Sequence, residues 1–207
     1  MRMAGKAKVA FMQLSSCWGC HQSLLDLHEK LLDVIPLLDI KYWVAAVDFK
    51  VDDLRKLPNA GLDAVFVEGL CRTKEDVHLL KLSREKSKAL VAFGSCSCFG
   101  GVPSIANLFP KKGLLERKYL KAETVIDRNT IPSENLPEIT NFVPRNDQIV
   151  RADVYLPGCP PTSQEIANAV LALLSGKPIE HSIKSVCDEC ERKKEEKNVK
   201  VFQRDFE

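Results

Sequence analysis

Short apolar runs alternate along this chain with segments that carry helical signals, and this alternation most limits the folds available to it. Five runs have the length and composition of buried strands, and they lie at residues 8–14, 39–47, 63–67, 89–93 and 153–156. Strands separated by helices typically form parallel sheets that are covered on both faces. The pattern therefore predicts an α/β fold with a doubly wound, five-stranded parallel sheet in the flavodoxin-like order.

Three of the intervening segments have helical signals. Residues 22–34 carry leucines at helical spacing, which predicts a helix buried along one face. Thr73 and Thr162 each begin a capping-box pattern, so each is expected to precede a helix. The first of these helices should end at about Lys86, and the second should end near Gly176, a residue type common after helix C-termini.

Two segments depart from the alternation. Residues 109–150 are polar, contain four prolines and show no sustained period. A loop of this length is uncommon and is usually functional or partner-bound, so we expect a long insertion in a domain that spans residues 1–176. Residues 177–207 form a short C-terminal extension, which ends in a charged stretch with few apolar residues.

Composition and charge exclude several classes of protein. The chain has 30 basic and 28 acidic residues, and a net charge of +2 is too small to indicate binding to nucleic acid or a membrane surface. No apolar run approaches the roughly 20 residues of a membrane span. We find no signal peptide and expect a cytoplasmic protein, where disulfides are rare and clustered cysteines indicate metal or redox chemistry.

Six of the eight cysteines follow predicted strands, and four of these six are the candidate ligands. Cys17 and Cys20 follow the first strand, Cys96 follows the fourth, and Cys159 follows the fifth. In a parallel sheet these positions share the carboxyl edge, where open α/β proteins bind ligands. These four residues, called here the edge cysteines, are therefore predicted to meet in one four-coordinate site.

Four sulfur ligands fit either a zinc ion or an iron–sulfur cluster. Structural zinc usually binds paired hairpins of a small fold, whereas here a full domain gathers cysteines spread over roughly 140 residues. The spacing therefore favours an iron–sulfur cluster, with zinc and inert or redox thiols as alternatives. Flanking glycines allow close backbone approach, and helix N-termini after Cys20 and Pro161 are expected to lower the pKa of the thiols.

The motifs CWGCHQSLLDL, VEG, AFGSCSCFGG, PGCPPT and SVCDEC together resemble the small subunit of NiFe hydrogenases. The resemblance covers nearly the whole chain and is strongest to the cytoplasmic, methyl-viologen-reducing type of methanogens, which serves heterodisulfide reductase. It implies that the edge cysteines bind a proximal 4Fe-4S cluster, and that the domain holds no flavin. It also implies three partners: a large subunit that holds the nickel–iron centre, a 2Fe-2S adapter subunit, and heterodisulfide reductase or a similar acceptor.

The same resemblance implies a role for the motif SVCDEC. Cys187 and Cys190 occupy the places of a His-x-x-Cys pair that supplies two ligands of a distal 4Fe-4S cluster in many family members. The other ligands normally follow downstream, and no cysteine follows Cys190 here. We therefore expect the extension to be the start of a truncated distal-cluster region, with a partner-completed site or an empty pair as alternatives.

Five further residues near the predicted site have less specific expectations. Cys71 and Cys98 are expected to be buried structural thiols, and His21 an ordinary residue at a helix start. Trp18, between two edge cysteines, is expected to lie at an interface, where it would shield the cluster or contact a partner, the large subunit. Glu68 is expected to accept a hydrogen bond near the cluster or to lie on a proton path. The sequence is equally compatible with a structural role for Glu68, as a helix cap or in a salt bridge.

Three alternative functions remain. The 20-kDa cluster subunit of respiratory complex I shares Pro-Gly-Cys-Pro-Pro, but its first two cysteines are adjacent, whereas Trp18 and Gly19 separate them here. A zinc-stabilised interaction module would use the same thiols without electron transfer. A flavodoxin-like FMN carrier would need a first loop rich in Ser, Thr and Gly, and SSCWGC meets this only in part.

Overall fold

A five-stranded parallel sheet organises the structure, which is a computed structural model that describes residues 6–126 and 129–179. The strands are β1 (Ala7–Gln13), β2 (Leu38–Trp43), β3 (Leu62–Glu68), β4 (Ser87–Phe93) and β5 (Val154–Leu156). Their order is β2-β1-β3-β4-β5, and every neighbouring pair is parallel. The predicted α/β class and flavodoxin-like strand order are confirmed.

The helices cover both faces of this sheet. They are α1 (Gly19–Leu25), α2 (Leu31–Val34), α3 (Val51–Lys56), α4 (Lys74–Lys86), α5 (Gly94–Phe99), α6 (Lys111–Tyr119) and α7 (Ser163–Ser175). Short 3₁₀ segments lie at His28–Lys30, Ile35–Leu37, Val102–Leu108 and Asn146–Gln148. Among the described residues, no helix combines the length and apolarity that crossing a membrane would require.

The sheet divides the core into two apolar layers. Val9 and Phe11 of β1 pack into the layer that includes Ile166 of α7, whereas Ala10 and Met12 pack into the opposite layer. Alternate side chains of a strand point to opposite faces, so a central strand must be apolar throughout. This explains why the strands appear in the sequence as continuous apolar runs.

Both predicted capping boxes are present. The hydroxyl oxygen of Thr73 accepts a hydrogen bond from the Asp76 amide at 3.1 Å, and that of Thr162 accepts one from the Glu165 amide at 3.3 Å. Each cap satisfies an amide that has no partner within the helix. Helix α7 ends before Gly176, whose φ of 66° lies in the left-handed region.

The predicted helix at residues 22–34 is wrong as a single element. The chain forms α1, a 3₁₀ turn and then α2, with a break at His28, whose φ is 49°. Leu24 and Leu27 are buried, but Leu32 is 72% exposed, so the leucines do not lie along one buried face. The second strand also ends early, because the chain turns after Trp43, whose carbonyl accepts bonds from the amides of Ala46 and Val47.

Other helices lie where the sequence indicates loops. The insertion at 109–150 contains α6 and the 3₁₀ turn Asn146–Gln148, and is therefore not structureless. The segment that holds Cys96 follows a predicted strand as a glycine-flanked loop, but it forms the helix α5. Helix α3 is six residues long and mostly charged, so its sequence has no apolar periodicity to detect.

Asp153 directly precedes β5, one of the two edge strands of the sheet, and offers a test of what stabilises this edge. Its carboxylate accepts a hydrogen bond from the Leu90 amide at 2.9 Å and pairs with the Arg84 guanidinium. Partial burial raises the pKa of Asp153, but these two bonds outweigh burial and hold the pKa below its ordinary value. We expect Asp153→Asn to lower the free energy of unfolding at pH 7 by about 1–2 kcal/mol.

The pH dependence of this difference has a definite sign. A carboxyl with a depressed pKa stabilises the fold above the ordinary aspartate pKa of about 3.9, and this stabilisation is lost as the pH falls below it. Urea unfolding at pH 7 and pH 3 should therefore show a gap between wild type and variant that narrows at pH 3. Asp52→Asn is the control, because its partner Arg55 is a surface residue and the pair is exposed. A gap that persists unchanged at pH 3 would contradict this assignment.

Candidate functional site

The structure brings the four edge cysteines to one cavity at the carboxyl edge of the sheet. The cavity has a volume of about 70 Å³. Its lining residues are Cys17, Gly19, Cys20, Glu68, Ser95, Cys96, Gly158, Cys159 and Pro160. Three segments that are far apart in the sequence, each following a strand, therefore supply four thiols to one space, as the parallel topology predicts.

Different elements position these thiols. Cys17 lies in the loop between β1 and α1, and Cys20 lies in the first turn of α1. Cys96 lies in α5, directly after β4, and Cys159 lies in the loop between β5 and α7. Cys20 is buried, Cys96 is half-buried, and Cys17 and Cys159 are exposed, so one side of the cavity faces solvent.

Two glycines make room for the sulfur atoms. A Cβ atom at Gly94 would overlap the Cys20 sulfur, and Gly94 has a φ of +84°, which side chains rarely adopt. A Cβ atom at Gly101 would lie 3.1 Å from the Cys96 sulfur. The predicted close approach of backbone to the site is therefore present at both positions.

Hydrogen bonds tie the cysteine-bearing loops to one another. The Ser95 amide donates to the Gly158 carbonyl at 2.7 Å, and the Gly158 amide donates to the Ser95 hydroxyl at 3.2 Å. The Ser23 hydroxyl of α1 donates to the Pro161 carbonyl at 2.7 Å. These bonds fix the loop of Cys159 against α5 on one side and against α1 on the other.

The pKa values of two edge cysteines are raised, whereas the sequence predicts that they would be lowered. Burial raises the pKa of Cys20, and the negative charges of Glu68 and of the other edge cysteines raise it further. Burial, followed by the charges of Cys159, Cys17 and Glu68, also raises the pKa of Cys96. The expected lowering by helix N-termini is therefore wrong for these two thiols. Ionising all four thiols would require compensating positive charge inside the cavity.

Glu68 and His21 form a buried polar pair beside the cavity. The His21 Nε2 and Glu68 Oε2 atoms are 3.5 Å apart, and the residues are 0% and 1% exposed. Burial raises the pKa of Glu68, although the amides of Cys20 and His21 oppose this, and burial lowers the pKa of His21 to about 4. His21 is thus a core residue that packs against Phe11, rather than an ordinary residue at a helix start.

The remaining predicted residues lie outside the cavity lining. Cys71 and Cys98 are 0% and 1% exposed, and the Cys98 thiol donates to the Ala92 carbonyl at 3.2 Å, so both are buried structural thiols as predicted. Trp18 is half-buried, and its predicted contact with a partner stays a prediction. Cys187 and Cys190 lie outside the described residues.

The donor set and the shape of the site fit a polyatomic cluster. Within residues 6–126 and 129–179, no three His, Cys, Asp or Glu side chains converge closely enough to hold a single metal ion. The edge cysteines instead surround a space, and four cysteine sulfurs are the usual ligands of a 4Fe-4S cluster. Sequence reasoning missed Ser95 as a lining residue, although its place between Gly94 and Cys96 was a signal.

Comparison with known proteins gives the class of the chain. A family model described as "NADH ubiquinone oxidoreductase, 20 Kd subunit" matches residues 17–173. The chain therefore belongs to this family. It is 42% identical over 200 residues to a subunit of the F420-non-reducing hydrogenase vhu of Methanocaldococcus jannaschii, and the match covers 97% of the chain and 67% of that relative.

More distant relatives are hydrogenase subunits too. The delta subunit of the NAD-reducing hydrogenase HoxS of Cupriavidus necator is 33% identical over 179 residues, covering 85% of this chain and 82% of the relative. A chain in the crystal structure of an NAD⁺-reducing [NiFe]-hydrogenase has a TM-score of 0.78 and 28% identity, over 86% of this chain and 96% of that one. The predicted resemblance to hydrogenase small subunits, and the predicted enzyme class of oxidoreductase subunit, are confirmed.

The length of the match differs among these relatives. The chain spans 61% of an F420-non-reducing hydrogenase subunit from Methanothermobacter thermautotrophicus, with 35% identity over 193 residues. A [NiFeSe]-hydrogenase of Dm. baculatum shares the fold, with a TM-score of 0.56 at 20% identity over 83% of this chain and 63% of that one.

Gly94 provides a test of the packing around the cavity. We expect Gly94→Ala to lower the free energy of unfolding by about 2–4 kcal/mol, because the new methyl group overlaps the Cys20 sulfur and because alanine is strained at the φ of +84° that Gly94 adopts. Urea unfolding under reducing conditions measures the change. Gly113→Ala in α6 is the matched control, since its Cβ would meet only Pro110, at 3.8 Å. Equal effects of the two substitutions would contradict the close approach at Gly94.

Proposed function

We propose that this chain is the electron-transfer small subunit of a NiFe hydrogenase, in which the edge cysteines hold a proximal 4Fe-4S cluster. The observation that carries the proposal is the convergence of four thiols, from three segments of the chain, on one cavity at the carboxyl edge. Relatives that match nearly the whole chain are hydrogenase subunits, which supports this use of the cavity. When bound, such a cluster would accept and pass on single electrons.

The residues of this chain would set the properties of that cluster. Burial of Cys20 and the half-burial of Cys96 would limit solvent access, which is one of the determinants of cluster potential. The buried carboxyl of Glu68 would add negative charge beside the thiolates whenever it is ionised, and so would disfavour reduction. No residue of this chain is assigned acid–base catalysis, since hydrogen would be split in the large subunit.

The large subunit, which would hold the nickel–iron centre, needs a surface to bind. Val102, Ile105 and Leu108 are spaced by three on a 3₁₀ helix, a period that places them on one face. They are 71%, 53% and 76% exposed, and we call them the apolar stripe. The stripe begins beside Gly101, which packs on Cys96, so a partner seated on it would lie close to the cavity.

The onward route of the electrons is proposed from the resemblance. It would pass through a 2Fe-2S adapter subunit to heterodisulfide reductase or a similar acceptor, in the cytoplasm. The similarity to F420-non-reducing hydrogenase subunits of methanogens supports this context. A distal cluster that uses Cys187 and Cys190 belongs to the same proposal, as does the division into a 1–176 domain and a C-terminal extension.

The alternative functions have less support. The family model carries the name of the complex I subunit, but Trp18 and Gly19 separate the first two edge cysteines, and the relatives at 33–42% identity described above are hydrogenase subunits. A single zinc ion would need thiols that converge more tightly than these do. The cavity lining contains four cysteines in place of a phosphate-binding Ser, Thr and Gly loop, which disfavours FMN.

The proposal is tested by metal analysis of the chain co-expressed anaerobically with its large subunit. We expect about four iron and four acid-labile sulfide per chain, or about eight of each if the distal site is complete. Cys96→Ser should lose one cluster. Cys98→Ser is the matched control, because it lies in the same helix with its thiol on the Ala92 carbonyl and should keep full content. Zinc without sulfide would overturn the proposal.

The apolar stripe yields a separate prediction. The double variant Val102→Asp, Leu108→Asp should reduce co-purification of the large subunit by at least about tenfold, because charges would have to be desolvated at the interface. The iron content of the chain measures whether the site survives. The control is Leu32→Asp, Val44→Asp, at two apolar side chains elsewhere that are 72% and 58% exposed. Equal loss in both double variants would contradict a binding role for the stripe.

A further inference from the structure

The long insertion returns to the sheet through one buried polar residue. Asn146 lies in the 3₁₀ turn Asn146–Gln148, at the end of the segment 109–150, and is 0% exposed. An amide buried to this extent is costly unless its donors and acceptor are paired. The hydrogen-bond partners of Asn146 therefore show which parts of the chain its buried side chain connects.

Asn146 joins two different walls of the cavity. Its Nδ2 group donates to the Ser97 hydroxyl at 2.7 Å and to the Gly69 carbonyl at 3.0 Å. The Cys71 thiol lies 3.9 Å from its Oδ1 atom and donates to it weakly. Ser97 directly follows Cys96 in α5, and Gly69 directly follows Glu68, which lines the cavity.

This link closes a ring of hydrogen bonds around the site. On one side, the Leu70 amide donates to the Ser15 carbonyl at 3.1 Å, which ties the end of β3 to the loop of Cys17. On the other side, the bonds of Ser95 with Gly158, and of Ser23 with Pro161, connect α5 to the loop of Cys159 and then to α1. Within this ring, Asn146 is the member supplied by the insertion.

We propose that Asn146 is a positioning residue, which holds α5, and with it Cys96, at a fixed distance from the end of β3. The inference rests on the proposed function, because it assigns the insertion a role in retaining the cluster. Two donors fixed by burial restrict the movement of α5 before any cluster binds. A cysteine held in place in this way loses less freedom on ligation and leaves the iron less readily.

Asn146→Asp tests this role, and Ser97→Ala tests it without a change of charge. Aspartate has nearly the same size, but it lacks the two N–H donors and places an oxygen against the Gly69 carbonyl. Asn107→Asp is the matched control. Asn107 anchors the same insertion, donating to the Val143 carbonyl at 2.9 Å and accepting from the Val143 amide at 2.8 Å, but it touches no cysteine-bearing loop through these bonds.

The experiment uses the complex with the large subunit, purified anaerobically, and measures the rate of iron release to a chelator. We expect release from Asn146→Asp to be about tenfold faster than from wild type, and release from Asn107→Asp to stay within about twofold. Electron paramagnetic resonance of the reduced complex should show shifted g values for Asn146→Asp and unchanged g values for Asn107→Asp. Ser97→Ala, which removes one acceptor only, should change both readouts in the same direction and by less.

The outcomes separate this inference from the function it rests on. A wild-type complex without iron and sulfide would overturn the proposed function. A loaded wild type in which Asn146→Asp and Asn107→Asp release iron equally fast would overturn only the role of Asn146. If Asn146→Asp does not fold, Ser97→Ala decides, and unchanged release and g values there would overturn the inference.

Discussion

The cost of ionising thiols gathered in one partly buried cavity is the constraint on which the rest of the structure depends. Burial and mutual charge both raise the pKa of Cys20 and Cys96, so the bare site resists ionisation. A cation-bearing ligand would offset this cost when it binds, so the fold must place the four thiols where one such ligand can reach all of them. The arrangement of the loops around the cavity is best understood as a response to that requirement.

The parallel sheet meets the requirement in two stages. Strand order first brings the loops after β1, β3, β4 and β5 to one edge, which gives proximity without any bond between the loops. The hydrogen bonds of Ser95, Ser23 and Asn146 then fix the loops relative to one another. Because these bonds do not involve the sulfur atoms of the edge cysteines, the geometry of the site would be largely set before a cluster binds.

The sequence predicts the strand order that gathers the loops, but it does not predict the hydrogen bonds that fix them. Apolar runs and the boxes at Thr73 and Thr162 are local patterns, so the strands, α4 and α7 were predictable from neighbouring residues. No local pattern indicates the break at the exposed His28. Helix α5, which holds Cys96, packs against β3 and β5, which are distant in the sequence. Asn146 lies 49 residues from Ser97 and 77 from Gly69, and nothing in its polar surroundings indicates that it is buried.

The exposed side of the cavity links the site to the binding of the large subunit. Cys17 and Cys159 face solvent in the isolated chain, while the apolar stripe lies next to the helix that carries Cys96. If the large subunit binds the stripe, it also reduces water access to the cluster, and burial is one of the main determinants of cluster potential. The potential would then be a property of the complex. Assembly would then set the cluster potential, because the contact that brings the large subunit close to the cluster would also exclude water from it.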